Sequence, residues 1–163
     1  MFSHIKDGKL KMVDITEKDD SLRRATAYGK IKLRRSTIEA IKEGKVEKGN
    51  VLECARLSAV MAVKNTPEII PMCHQISITG VGVDFNVGEE EIGVTLEVKS
   101  MGKTGVEMDA LCGVSVALLT VWDMVKSAEK DEGGNYPDTI ISEIKVIEKV
   151  KGRAKSSFNW SYY

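Results

Sequence analysis

The sequence has no excess charge of either sign. Its 163 residues include 24 Lys and Arg against 24 Asp and Glu, and its basic pairs, Arg23-Arg24 and Arg34-Arg35, are short. Because neutralisation of phosphates drives most binding to duplex nucleic acid, a neutral chain has no electrostatic reason to hold a duplex. We therefore predict no nucleic-acid partner.

Cysteine and histidine are scarce. The three cysteines, Cys54, Cys73 and Cys112, are an odd number without close spacing, which is typical of reduced thiols in a cytoplasmic protein. The two histidines are His4 and His74, and no acidic or thiol cluster stands at ligand spacing around Cys73 and His74. We therefore predict that the chain binds no metal and no cofactor.

Long apolar runs are also missing. The first residues, MFSHIKDGKLKM, lack the apolar stretch of a secretory signal, and no window is long and apolar enough to predict a membrane span. A chain of this length is expected to form one domain over residues 1–163, with a core of its own. We predict a soluble, cytoplasmic protein with no membrane partner, flexible at residues 1–11 and 152–163.

The hydrophobic periodicity predicts an α+β protein whose main elements run strand, helix, strand, strand, helix, strand. The predicted ranges are a strand at 22–34, a short helix within 36–44, a helix at 50–66, a hairpin of 76–87 and 92–98, a long helix at 104–130 and a strand at 139–150. A phase slip beside Gly80 suggests a bulge. This order predicts a split βαβ arrangement, an antiparallel sheet with helices packed on one face. We expect a partner subunit to cover an apolar second face.

Local patterns predict where the helices begin. Thr104 with Glu107, and Ser36 with Glu39, fit capping boxes, in which a hydroxyl and a carboxylate each bond a backbone amide at the helix start. Asn50 fits the N-cap of the helix between them.

The long helix is apolar almost all the way round, so its few charged residues are informative. Asp123 and Lys126 are three residues apart and share one face. They form either an intrahelical ion pair or an acid/base pair in which a lysine half withdrawn from water has a lowered pKa. Asp109 lies 14 residues before Asp123, about 21 Å along the helix. These two carboxylates therefore cannot form one acid/base pair.

Two loop residues allow two interpretations each. Lys103, beside the start of the long helix, suits an anion held by free amides, but the capping box alone also explains this composition. His74, in a loop that enters a strand, is either a hydrogen-bonded structural group or a binding residue.

The same segments resemble a known family. They are MVDIT at 12–16, KGNVLECARLSAVMAVKNT at 48–66, PMCHQ at 71–75, GKTGVEMDAL at 102–111 and VWDMVK at 121–126. Together they are similar to the MoaC family of molybdenum cofactor biosynthesis. The resemblance implies a ferredoxin-like fold and a homohexamer built as a trimer of dimers.

The resemblance also implies an activity. The family converts a cyclic dihydro-GTP intermediate, made from GTP by a radical enzyme, into cyclic pyranopterin monophosphate with release of pyrophosphate, a phosphorus–oxygen lyase reaction. By matching position, Asp123, Lys126 and Lys48 are expected to be catalytic. The residues expected to bind substrate are Lys64, Met72, Cys73, His74, Glu107, Met108 and Asp109.

The chain departs from the family at a few positions. Gln75 stands where the family usually has proline, and Asp109 stands where it usually has glutamate. The glycine- and lysine-rich C-terminal segment of the family is replaced by KVKGRAKS. Which of Lys151, Arg153 or Lys155 contacts phosphate is left open.

The residue types suit this chemistry. Lysines can neutralise a triphosphate and the departing pyrophosphate, Asp123 beside Lys126 can pass protons both ways, and a carboxylate at position 109 can accept from guanine N–H groups. We expect a shared site in which Lys48 of one subunit faces the Asp123–Lys126 end of a partner's helix. The alternative is a non-catalytic ferredoxin-like nucleotide-binding or assembly module, which has no special need for Asp123 or Lys126.

Overall fold

The computed structural model describes residues 5, 6 and 8–152, so most of the two ends predicted to be flexible, 1–4 and 153–163, lies outside the described residues. The elements are β1 (Ile5–Lys6), β2 (Lys9–Leu10), β3 (Ser21–Lys32), α1 (Arg35–Lys42), α2 (Val51–Lys64), α3 (Thr66–Ile69), β4 (Ile78–Val87), β5 (Glu91–Gly102), α4 (Glu107–Glu129) and β6 (Ile140–Lys151).

The four long strands form one antiparallel sheet in the order β4-β5-β3-β6. Helices α2 and α4 pack together against one face of this sheet. The strand order and the single helical layer confirm the predicted ferredoxin-like α+β fold. The register of β4 on β5 shifts between Ile78 and Gly80, which confirms the predicted bulge.

The core lies between the sheet and α4. Because side chains alternate across a strand, every second residue of β3 and β5 points toward the helices. The buried side chains that meet there include Ala25, Ala27 and Ile31 of β3, Ile92, Val94, Leu96 and Val98 of β5, and Val114, Ala117, Leu118 and Val121 of α4. Burying each larger aliphatic side chain contributes about 1.5–3 kcal/mol.

Two glycines allow α4 to approach its neighbours closely. A Cβ at Gly113 would overlap the side chain of Leu96 and lie 2.8 Å from a methyl group of Val63, and a Cβ at Gly29 would lie 2.8 Å from Val114 Cγ1. Real Cβ atoms do not tolerate such distances, so these positions require a residue without one. The middle of α4 is therefore held tightly against both the sheet and α2.

The prediction that the second face of the sheet is apolar is wrong. The alternation that buries Ala25 and Ala27 sends charged side chains outward, and these form ion pairs with one another, most of them between neighbouring strands and one along β5. The pairs are Arg24 with Glu97 and Glu148, Lys30 with Glu91 and Glu143, and Lys99 with Glu97. Met101 of β5 is also exposed, and further exposed apolar side chains lie on α2, α4 and the edge strand β6: Leu57, Met61, Leu119, Ile144, Val146 and Ile147.

The predicted capping boxes are wrong. Helix α4 begins at Glu107 with no side-chain cap, because the Glu107 carboxylate pairs with Lys149 on β6 instead of turning back to Thr104. Helix α1 begins at Arg35, also without a side-chain cap.

The predicted N-cap of α2 is confirmed. Asn50 Oδ1 accepts a hydrogen bond of 3.1 Å from the Glu53 amide, so this helix begins where its sequence pattern indicates.

Helix α4 also corrects the expectation that no segment suits a membrane. Among the described residues, this 23-residue helix is long and apolar enough to cross a bilayer, with a mean hydropathy of 1.6 in its best window. Half of that window is buried inside the protein, where it packs on the sheet and on α2. Its place in the core accounts for its apolar composition.

We predict that Gly113→Ala destabilises the protein by about 1–3 kcal/mol, because the added methyl group overlaps Leu96 and Val63. The higher helix propensity of alanine offsets part of this loss. Urea unfolding at matched protein concentration measures the difference. The control is Gly82→Ala, whose Cβ would meet no atom within 4 Å. Equal midpoints for the two variants would contradict the close packing at Gly113.

Candidate active site

The two ends of α4 carry separate groups of polar residues. At its first turn, a cavity of about 470 Å³ opens between this helix, the loop after α3 and the segment 12–18. We call this cavity the loop pocket. At the other end, Lys48, Asp123 and Lys126 form a surface group that we call the helix-end cluster.

The loop pocket brings together six residues that the family resemblance predicted to bind substrate. They are Met72, Cys73, His74, Glu107, Met108 and Asp109. Lys64, the seventh, lines a neighbouring cavity of about 400 Å³ at the end of α2. The two cavities share Ile76, so Lys64 lies beside the loop pocket and not in its wall.

Asp109 is the most perturbed carboxyl group of the pocket. It is only 4% exposed, and this burial raises its pKa from 3.8 to about 6, with a smaller contribution from the charge of Glu107. Its own backbone amide offsets part of the rise. A carboxyl group that titrates near neutral pH can either accept or donate a proton to a bound ligand.

The environment of Cys73 favours the thiol over the reactive thiolate form. Burial raises the pKa of its thiol, and the charges of Asp109 and Cys112 raise it further. The thiolate is the nucleophilic form of cysteine, so this thiol is a poor nucleophile at neutral pH. The three cysteines are free, in line with the predicted reduced thiols.

One wall of the loop pocket was not predicted from the sequence. Residues 12–18, which we call the strap, contribute Val13, Ile15 and Lys18 to the lining. The strap belongs to no strand of the described chain, and side chains hold it: His74 Nε2 lies 2.7 Å from the Val13 carbonyl oxygen, and Lys103 donates to the Thr16 carbonyl at 2.6 Å. His74 is therefore hydrogen-bonded, as one of the two interpretations predicted, and it also lines the pocket. Its role in binding stays a prediction.

A larger cleft of about 1100 Å³ adjoins the loop pocket, sharing Lys18, Thr104 and Gly105 with it. We call it the basic cleft, although three acidic residues of the 17–20 segment also line its rim. Its cationic lining is Lys18, Arg23, Lys103, Lys149 and Lys151. Of the three C-terminal basic residues left open from the sequence, Lys151 lines this cleft, whereas Arg153 and Lys155 lie outside the described residues.

Arg23 and Lys149 connect the basic cleft to the start of α4. Arg23, only 9% exposed, donates to the carbonyl oxygens of Gly102 and Lys103 at 3.4 and 3.3 Å. Burial of Glu107 would raise its pKa, but the hydrogen bond from Lys149 and the charge of Arg23 bring that pKa below its usual value. Sequence reasoning missed Arg23, although a charge at an inward-facing position of β3 was a usable signal.

The helix-end cluster is an exposed ion-pair network. Lys48 Nζ lies 3.0 Å from Asp123 Oδ2, and Lys126 Nζ lies 2.8 Å from Asp123 Oδ1. Lys48 also donates to the Asp123 carbonyl oxygen at 2.7 Å. Tyr136, which packs edge-on against Trp122 at 5.5 Å between ring centroids, lies close enough to influence Lys126.

The predicted lowering of the Lys126 pKa is wrong. This side chain is 46% exposed, and its hydrogen bond to Asp123 raises its pKa, with a further contribution from Tyr136. Lys126 and then Lys48 lower the pKa of Asp123. Of the two interpretations of Asp123 and Lys126, the structure of the free chain therefore matches the intrahelical ion pair. Lys48 is a third member of this ion pair.

The predicted separation of Lys48 from Asp123 between two subunits is also wrong. The loop between α1 and α2 returns to the C-terminal end of α4, so Lys48 contacts Asp123 of its own chain. Within one chain, the loop pocket and the helix-end cluster are separated by the length of α4.

Among residues 5, 6 and 8–152, no group of three His, Cys, Asp or Glu side chains is arranged to hold a metal ion. The absence of a metal and of a cofactor stays a prediction.

The fold and these clefts define a ferredoxin-like α+β protein with charged surfaces at both ends of one buried helix. The chain belongs to the MoaC family, whose sequence profile matches residues 12–152.

Similar proteins come from several archaea, and each is named a probable cyclic pyranopterin monophosphate synthase. The protein of Methanosarcina mazei is 63% identical over 153 residues, covering 94% of this chain and 98% of its own. That of Archaeoglobus fulgidus is 63% identical over 150 residues, covering 92% and 96%. That of Pyrococcus furiosus is 56% identical over 149 residues, covering 91% and 96%.

We predict that Asp109→Asn stabilises the protein above about pH 6. A carboxyl group whose pKa is raised on folding contributes stability below its unfolded pKa of 3.8, and this contribution is lost as pH rises through about 6. Above that pH the parent must keep a charge in a buried position, at a cost of at most about 3 kcal/mol. Asparagine avoids this cost.

Unfolding measurements between pH 4 and 8 check this prediction. The stability difference between Asp109→Asn and the parent should grow with pH and level off above about pH 7. Asp14→Asn is the control, because that exposed carboxyl group has a lowered pKa. A difference that does not change with pH would contradict the desolvated state of Asp109.

Proposed function

We propose that this protein is a cyclic pyranopterin monophosphate synthase of molybdenum cofactor biosynthesis. Its substrate is the cyclic dihydro-GTP intermediate, 3′,8-cyclo-7,8-dihydro-GTP, and its products are cyclic pyranopterin monophosphate and pyrophosphate. The reaction class is that of a phosphorus–oxygen lyase, and the setting is the cytoplasm. The observation that carries the proposal is the match to the MoaC family across residues 12–152, with the names given to the relatives in support.

The active site in this proposal consists of parts from two chains. The loop pocket and the helix-end cluster lie at opposite ends of α4, and Asp109 and Asp123 are about 21 Å apart along it. A ligand of nucleotide size does not reach from one end to the other within one chain. We therefore place the loop pocket of one chain against the helix-end cluster of its partner, in a homohexamer built as a trimer of dimers.

The surface of the chain supports self-association. Large apolar side chains are exposed on both core helices, with Leu57 63%, Met61 55% and Leu119 57% exposed. The hydroxyls of Ser58 and Thr120, 2.7 Å apart, join α2 to α4 beside these side chains. Burying such a surface against a second copy would remove it from water.

In this mechanism the loop pocket binds the guanine-derived ring. Asp109, whose pKa is about 6, accepts hydrogen bonds from ring N–H groups, and His74 and Met108 line the same space. Lysines of the basic cleft neutralise the triphosphate. Their positive charge stabilises the negative charge that develops when pyrophosphate leaves.

The helix-end cluster supplies the proton transfers. A sugar hydroxyl of the substrate attacks the α-phosphorus, the bond from that phosphorus to the β-phosphate oxygen breaks, and pyrophosphate departs. Asp123 takes a proton as a base, and Lys126 returns one as an acid during ring opening and closure. Lys48 holds the Asp123 carboxylate and offers a further positive charge to phosphate.

A direct assay tests the activity. The purified protein is mixed with the cyclic dihydro-GTP intermediate, and release of pyrophosphate and formation of a fluorescent pterin after oxidation are followed. The alternative, a non-catalytic nucleotide-binding or assembly module, would bind the intermediate without releasing pyrophosphate.

We predict that Lys126→Ala abolishes turnover while the fold and the assembly remain intact. The loss of its ammonium group removes the proposed acid and one of the two partners of Asp123. Steady-state assays measure turnover, and circular dichroism with native mass spectrometry checks the fold and the assembly. Lys130→Ala, which removes an exposed lysine just beyond the end of α4, is the control. Near-normal activity of Lys126→Ala would refute the catalytic assignment.

We also predict that variants from opposite ends of α4 complement each other. Asp109→Ala and Lys126→Ala chains, each inactive alone, should regain activity when unfolded and refolded together, because some mixed sites contain both intact halves. Random pairing of the two chains into dimers restores about a quarter of the sites.

The matched control pairs Lys48→Ala with Lys126→Ala. Both residues belong to one helix-end cluster, so no mixed site contains both, and activity should stay absent. If neither mixture regains activity although mass spectrometry detects mixed oligomers, the site lies within a single chain.

A further inference from the structure

The strap is held to the rest of the protein by residues of the site itself. Val13 and Ile15 are half-buried and line the loop pocket, whereas Asp14 and Thr16 are exposed. Within the strap, the Thr16 amide donates to Asp14 Oδ1 at 2.9 Å. Outside it, Lys103 donates to the Thr16 carbonyl oxygen, so the strap and the start of α4 are fixed to each other.

The contact between the strap and His74 determines where the histidine proton lies. A carbonyl oxygen only accepts hydrogen bonds, so Nε2, 2.7 Å from the Val13 oxygen, must carry a hydrogen. In the neutral ring the other nitrogen, Nδ1, then has a free lone pair. Within the part of the chain that the structure describes, Nδ1 has no hydrogen-bond partner, and it is not a buried unsatisfied atom.

We propose that the strap is a positioning element of the site: its Val13 carbonyl fixes the neutral His74 ring with the proton on Nε2, so that Nδ1 accepts a hydrogen bond from an N–H or O–H donor of the ligand. The proposal rests on the proposed function in one respect, namely that the loop pocket is the ligand site. Ligands with an acceptor at this position are disfavoured, because two lone pairs would face each other.

The ring can be observed directly, since the chain has two histidines. His4→Gln leaves His74 as the single imidazole of the full-length protein. Nitrogen-15 spectra, recorded at a pH where the ring is neutral, assign a proton-bearing Nε2 and a bare Nδ1 by their different chemical shifts. The Nε2 proton should also be visible, because its hydrogen bond slows exchange with water, and it should show a nuclear Overhauser contact to Val13.

Releasing the strap tests its role. Asp14→Ala with Lys103→Met, in the His4→Gln background, removes the carboxylate that accepts the hydrogen bond within the strap and the ammonium group that binds the strap to the start of α4. His74 itself is unchanged. The free imidazole already favours a proton on Nε2, so the decisive reading is the exchange of that proton. Its rate of exchange with water should rise at least about fivefold, which corresponds to about 1 kcal/mol of lost protection, and its signal should weaken accordingly. Lys32→Met, at the exposed far end of β3, is the control and should leave the signal unchanged.

The proposal is overturned if the parent shows the proton on Nδ1, or shows no contact from the Nε2 proton to Val13. It is also overturned if the released variant keeps the full signal, or if the control loses it equally. None of these spectra requires turnover. An inactive protein with the expected spectra would therefore refute the proposed reaction and still support the assigned tautomer.

Discussion

The close packing of α4 against the sheet and α2 constrains everything else in this protein. Gly113 and Gly29 let the helix approach until no Cβ fits between the layers, so the face of the helix that meets the sheet and α2 is buried. The charged residues of this helix lie toward its two ends. The division of the site residues into a loop pocket and a helix-end cluster follows directly from this burial.

The elements and the strand order could be predicted from sequence because they depend on local patterns. Alternation defined β3, Gly80 marked the bulge, and Asn50 marked the start of α2 through its own side chain. The family resemblance assigned six residues to substrate binding, and these six line one cavity, the loop pocket; their role in binding stays a prediction. No pattern within any one segment placed them side by side.

The failures concern partners that are distant in the sequence. Glu107 has the spacing of a capping box, but its carboxylate forms an ion pair with Lys149 of β6 instead of capping the helix. Apolar neighbours suggested a lowered pKa for Lys126, but position on the helix surface, not neighbours in sequence, determines its hydration. The strap was missed because it forms no strand and is recognised only by the side chains that hold it.

The contact of Lys48 with both the carboxylate and the main-chain carbonyl of Asp123 has a consequence for the timing of proton transfer. The lowered pKa of Asp123 depends on two lysines, and lysines are also the natural partners of phosphate. A triphosphate bound as proposed would compete with Asp123 for these lysines, and the loss of either lysine would leave the aspartate more basic than before. In the proposed site, the arrival of the anion would therefore free a paired carboxylate to accept a proton, and substrate binding and activation of the base would be one event.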